Sequence, residues 1–215
     1  MSEEIKEVPK QSLTVQRALV ELKLLDDRIN KKIGTTKFVG SAVGDKLTLI
    51  TGETKDSFEK DVKANTDSIF GLINRRAILK SAITVSNATT PISIFGQTVS
   101  VATAIDRKNS IGYEVALLNK MRKDYAEEIK TIERNNAKME DTLSKLTSDR
   151  TSSEKSKIEE INQLQESYRK LNETKLYDVL GIVKEIENLS NNIAGFQSEV
   201  DLCLSESNNT TYIEI

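Results

Sequence analysis

Apolar residues along this chain recur at steps of three and four. Val15, Ala18, Leu22, Leu25, Ile29 and Ile33 share one face, which predicts a helix that begins at Ser12 and is stopped by Gly34. The period changes in TTKFVGSAVGDKLTLITGET, where glycines and the alternating run KLTLIT predict a loop with one or two short strands. A second helix carries Phe58, Val62, Asn65, Ile69, Leu72, Arg76, Leu79 and Ile83 in strict four-three alternation. That spacing lines side chains along a seam for a partner helix. Asn65 and Arg76 interrupt the seam, either to fix its register or to reach out at its edge.

A third helix is predicted from Ser100 or Ala102 to about Asp149, through Ile105, Ile111, Val115, Leu118, Tyr125, Ile129, Ile132, Met139, Leu143 and Leu146. Lys108, Arg122 and Asn136 occupy intervening seam positions. At about 1.5 Å per residue such a helix reaches about 60–70 Å, more than a compact domain of this size needs. The cluster TSDRTSSEKSK then breaks the pattern, and Thr151 with Glu154 has the spacing of a capping box. A fourth long helix follows through Ile158, Ile161, Tyr168, Val179, Ile182, Ile186, Leu189, Ile193, Phe196 and Val200. Gly181 and Gly195 lie inside it as marks of a close approach or a bend. A short loop between two long helices favours an antiparallel hairpin. SESNNTTYIEI reads as a polar turn and a β-prone tail.

Between the second and third helices lies SNATTPISIFGQTVSVATAIDRKNS. Pro91 disfavours helix at Thr90. ISI and TVSV alternate on either side of FGQ, which predicts a tight hairpin. Ile92, Ile94, Val99 and Val101 cannot bury themselves in an isolated hairpin, so they must lie on the ends of the flanking helices or on another subunit. Ser100 or Thr98 can cap the next helix. The expected fold is mainly α: a long antiparallel helical hairpin or coiled-coil-like bundle with a small β-hairpin crossover. Its parts are an N-terminal arm (1–11), a short helix with a loop or short strands (12–53), a long helical bundle (54–204) with the β-hairpin insert at 91–101, and a β-prone tail (205–215).

Composition fits thin helical elements with narrow seams: of 215 residues, 37% are hydrophobic, 5% aromatic and 30% charged. The formal charge of −2 supplies no concentrated positive field for nucleic acid or an anionic membrane. The polar start MSEEIKEVPK and the lack of any run of about 18 apolar residues predict a protein that is cytoplasmic when made, with no membrane partner. The absence of histidine removes the commonest general base and zinc ligand. The single Cys203, in VDLCLS, reads as a small buried hydrophobe. There is no P-loop, G-x-G-x-x-G, G-x-S-x-G or metal-spaced cluster. Adjacent acidic pairs such as Glu127/Glu128 and Glu159/Glu160 face different directions on a helix and read as solvated charge. An enzyme, a cofactor and a metal site are not expected.

One group of polar residues flanks the hairpin. Arg75, Arg76, Asn87 and Thr89 precede it, with Asn74 and Thr90; Arg107, Lys108 and Asn109 follow it. If the helices are antiparallel these groups converge with a helix N-terminus, which suits an anion such as a phosphate or a nucleotide. The alternative is a solvated hinge in which the cations pair with Asp106 or Glu114.

NRRAILKSAITVSNATT followed by GQTVSVATAIDRKNS resembles the centre of the septicolysin-like small helical proteins of bacteria and phages. Those proteins also have a long helix, an Asn/Ser/Ala/Thr segment, a Gly-Thr turn and a helix that opens Ala-rich with an Arg. The resemblance covers about residues 65–125, with NNTTYIEI echoing the family's short polar-aromatic end. Residues 1–55 have no counterpart, and the hairpin here is longer. It implies a helical fold and a phage origin. Two readings of function follow. In one, the chain is a structural component of a homo-oligomer or of a larger assembly such as a virion. In the other, an oligomer uses the Asn87–Arg107–Lys108 end to sequester a small phosphorylated ligand.

Overall fold

The computed structural model describes residues 11–148 and 155–215. The expected capping box at Thr151 and Glu154, the arm through Lys10 and the helix end at Asp149 lie outside the described residues. The fold is mainly α with a small β-hairpin, as the periodicity predicts. Its elements are β1 (Ser12–Thr14), α1 (Val15–Thr35), α2 (Lys55–Thr89), β2 (Pro91–Ile94), β3 (Gln97–Ser100), α3 (Val101–Ser110), α4 (Gly112–Ser148), α5 (Lys155–Asn172), α6 (Ile182–Thr210) and β4 (Tyr212–Glu214). They form two units, one of residues up to Lys108 together with Phe196–Ile215, the other of Asn109–Gly195.

In the first unit α1 lies antiparallel to α2. Glu21 of α1 accepts from Arg75 of α2, and eleven residues further along α1 Lys32 donates to Ser68, seven residues back along α2. All eight predicted seam positions of α2 are buried or half-buried. Ser12 does not start the helix. Its segment finds backbone partners in the tail instead: β1 pairs antiparallel with β4, Gln11 and Ile215 exchange N–H···O bonds of 3.0 Å, and the Val15 N–H donates to the Thr211 carbonyl at 2.9 Å. Thr14 then caps α1 by accepting the Arg17 N–H. Leu13 and Ile213 stand opposite each other and join Val15, Ala18, Leu25, Leu79 and Ile83 in one buried cluster. Burial sustains a two-stranded ladder that would be marginal alone. At about 1.5–3 kcal/mol for each fully buried large aliphatic side chain, this cluster dominates. The solvent-screened ion pairs contribute mainly register.

The α1–α2 connection departs from expectation. KLTLIT forms isolated bridges (Ala42 with Leu49, Thr48 with Thr54) rather than strands. Thr54 caps α2 by accepting the Ser57 N–H.

The hairpin is where the alternation predicts it. Its two-residue turn, Phe95–Gly96, has positive φ at both positions (48° and 73°), the combination that matches strand twist. Gly96 adopts this freely, whereas Phe95 is strained there. Glu199 of α6 holds the strained residue by accepting the Phe95 N–H at 2.6 Å. Cys203 is half-buried rather than buried, and its Sγ donates to the Ser93 carbonyl. Both bonds tie the hairpin to α6, a covering element the sequence did not point to. Ile92 and Ile94 are buried. Ser100 caps α3 by accepting the Thr103 N–H.

In the second unit α4 and α5 run antiparallel, joined by a bidentate Arg169–Glu140 pair of 2.7 and 3.0 Å. That pair holds the Glu140 carboxyl below its usual range, the Arg169 hydrogen bond being the larger cause. Two expected single helices are divided. The third is interrupted at Ile111, between α3 and α4; the fourth is α5 and α6, separated by residues 173–181. Gly181 stands at φ +68° just before α6 rather than inside a helix. Conversely, the expected polar turn at 205–210 is helix. There Asn209 and Thr210 donate to carbonyls four residues back, satisfying their polar groups without leaving the helix.

Truncating Leu79, which has no exposed surface, should cost about 2–5 kcal/mol in denaturant unfolding. Lys80→Ala, at the exposed position next to it, should stay within about 0.5 kcal/mol. Equal effects would show that the α1–α2 seam is not the core of this unit.

Candidate binding surface at the hairpin

The predicted cations fall into two groups. Arg75 and Arg76 lie on α2 against α1. Arg75 Nε donates to Glu21 at 2.8 Å and its Nη2 to Gln11 at 2.9 Å, while Arg76 pairs with Asp26 and is held more firmly protonated by that hydrogen bond. Thr89 lies thirteen residues further along α2, a rise of about 20 Å from Arg76. The arginines therefore sit far down the helix from the hairpin.

Arg107 and Lys108 are brought together on α3 beside α6. The Arg107 guanidinium lies 4.4 Å from the centre of the Phe196 ring, a cation–π stack, and Lys108 pairs with Asp201. Asn87 is half-buried near the end of α2. The Thr89 hydroxyl donates to the Val85 carbonyl of its own helix. Asn109 is exposed and begins the second unit. The N-terminus of α3 is already capped by Ser100.

Two grooves open beside these residues. One, of about 730 Å³, runs between α2 and β4 and is lined by Ala77, Ile78, Val85, Thr89, Tyr212 and Ile213, among others. The other, of about 720 Å³, lies between β2 and the last turns of α6, with Ile92, Ser93, Cys203 and Glu206 on its walls. Ile78, Val85 and Tyr212 are exposed along the first. Chemically this surface is suited to packing. Its cations serve as helix-to-helix fasteners, and an anion would have to displace a carboxylate to reach Lys108, Arg75 or Arg76.

Sequence reasoning missed Glu199, Asp201 and Phe196, which hold the hairpin and α3. Each acts on a residue about ninety or more positions away. No local spacing signals that pairing. Among the described residues, no group of three or more Cys, Asp or Glu could hold a metal ion, and no helix is long and apolar enough to cross a membrane.

No family model, curated protein or solved structure matches the chain.

Because Lys108 is already paired, millimolar inorganic phosphate should leave the melting temperature of the native chain unchanged. It should raise that of Asp201→Asn, in which the ammonium is released. A rise in the native chain would show that an anion outcompetes Asp201.

Proposed function

We propose that this chain is a non-enzymatic structural protein that works as part of a larger oligomer or assembly. A phage particle is the setting that its sequence resemblance implies. The observation that carries this reading is how little of the long helices is covered. Helix α2 is 35 residues long and buries Ile69, Leu79 and Ile83; α4 is 37 residues long and buries Leu118, Met139 and Leu143. Meanwhile Phe70, Ile73, Ile78 and Val85 of α2 remain exposed, at 65, 41, 43 and 61%.

These four residues are not scattered. With Ala77 and Ala88 they cluster on a second, broad face of the same helix, away from the α1 seam. A contiguous apolar stripe in water is unfavourable in proportion to its area, and monomeric proteins seldom keep a large one. Covering it with a second chain would relieve that cost. The pairing of every predicted cation on α2 with a carboxylate also favours an interaction role over anion capture.

Sedimentation equilibrium tests the reading. The expected mass is a multiple of 24.0 kDa, and Phe70→Glu or Val85→Glu should weaken association at least tenfold while far-UV helicity is retained. A single-chain mass at all concentrations would rule out self-assembly.

A further inference from the structure

We infer that residues 173–181 are a latched break in an otherwise continuous helix, able to convert between the open turn seen here and a helical form that fuses α5 to α6 along α4. Three observations within the second unit carry this.

The first is the sequence of the break. Its composition does not forbid helix: the chain's prolines are at 9 and 91, and Gly181 is the only glycine between Lys155 and Asn192. The three-four stripe of α5 (Ile161, Leu164, Tyr168, Leu171) runs on in step through Lys175 and Asp178 to Ile182.

The second is the register along α4. Arg169 meets Glu140, Thr174 meets Asn136, and Ser190 meets Arg122. Both α5 and the start of α6 therefore lie antiparallel to the same helix and in sequence along it. From Asn136 back to Arg122 is fourteen residues of helix, a rise of about 21 Å; the sixteen residues from Thr174 to Ser190 would rise about 24 Å if all were helical. The break occupies nearly the length that a helix of the same residues needs, so fusion requires a slip of only about 3 Å.

The third is how the break is held. Each fastening takes up a backbone group that a helix would use for itself. The Asn136 carboxamide grips Thr174 at both ends, accepting its N–H at 2.8 Å and donating to its carbonyl at 3.0 Å. In a helix those groups would bond Lys170 and Asp178. The Asp178 carboxylate accepts the N–H groups of Leu180, Gly181 and Ile182 at 3.1, 2.9 and 2.8 Å. Gly181 holds the left-handed conformation. Against these fastenings stands Leu171, a residue of the stripe that is 83% exposed beside the open turn. Two side chains and one glycine thus hold a turn against the preference of the sequence around it.

The test uses the full chain. In Asn136→Ala/Asp178→Ala, NMR Cα secondary shifts across 173–181 should turn helical and amide exchange there should slow at least tenfold. Gly181→Ala should shift the same signals in the same direction. A Cβ at Gly181 meets nothing within 4 Å, so alanine acts there through φ alone. Shifts that stay non-helical in both variants, or a segment that only loses order, would overturn the inference. Should the double variant fail to fold, Gly181→Ala alone decides.

Discussion

Leu79 has none of its surface in water, and the α1–α2 seam around it is what the first unit depends on. The four-three spacing of α2 supplies one side of that seam and the 15–29 face of α1 the other. Leu13 and Ile213, from opposite ends of the described chain, fill its remaining edge. The ladder β1–β4 is too short to stand by itself, and it exists because its alternate side chains drop into this cluster. The ion pairs Glu21–Arg75 and Asp26–Arg76 fix which turns of the helices face each other, while apolar burial supplies most of the stabilisation.

A second theme is competition for backbone groups. At two places where the chain leaves its helical period, a side chain from far along the sequence has taken over an amide or a carbonyl. Glu199 takes the Phe95 N–H and fixes a strained turn; Asn136 takes both groups of Thr174 just beyond the end of α5. Asn136 thus occupies a seam position as a backbone partner, while Arg76, Lys108 and Arg122 occupy theirs by bonding side chains of neighbouring helices.

What was legible in the sequence was what repeats locally. The α2 seam, the turn at Gly96 and the Ser100 cap all follow from spacing within a few residues. What was not legible depends on distant partners. Ser12 reads as helix because nothing nearby reveals Glu214 opposite it in the ladder. The expected fourth helix reads as continuous because no proline interrupts it and its three-four step carries across Lys175 and Asp178, and the clamp on Thr174 comes from α4. The cations of the expected anion site show the same dependence on distant partners. Arg75, Arg76 and Lys108 are cations near a hairpin in the sequence, but Glu21, Asp26 and Asp201 engage them from other elements.

The most direct test of this account is native-state hydrogen exchange at the ladder amides. If the chain ends are part of the α1–α2 core, the Val15 and Ile215 N–H groups, bonded to Thr211 and Gln11, exchange with the same opening free energy as the amides of Leu79 and Ile83. Ladder amides that exchange freely while α2 stays protected would contradict it, and would show that the strands only rest on a core complete without them.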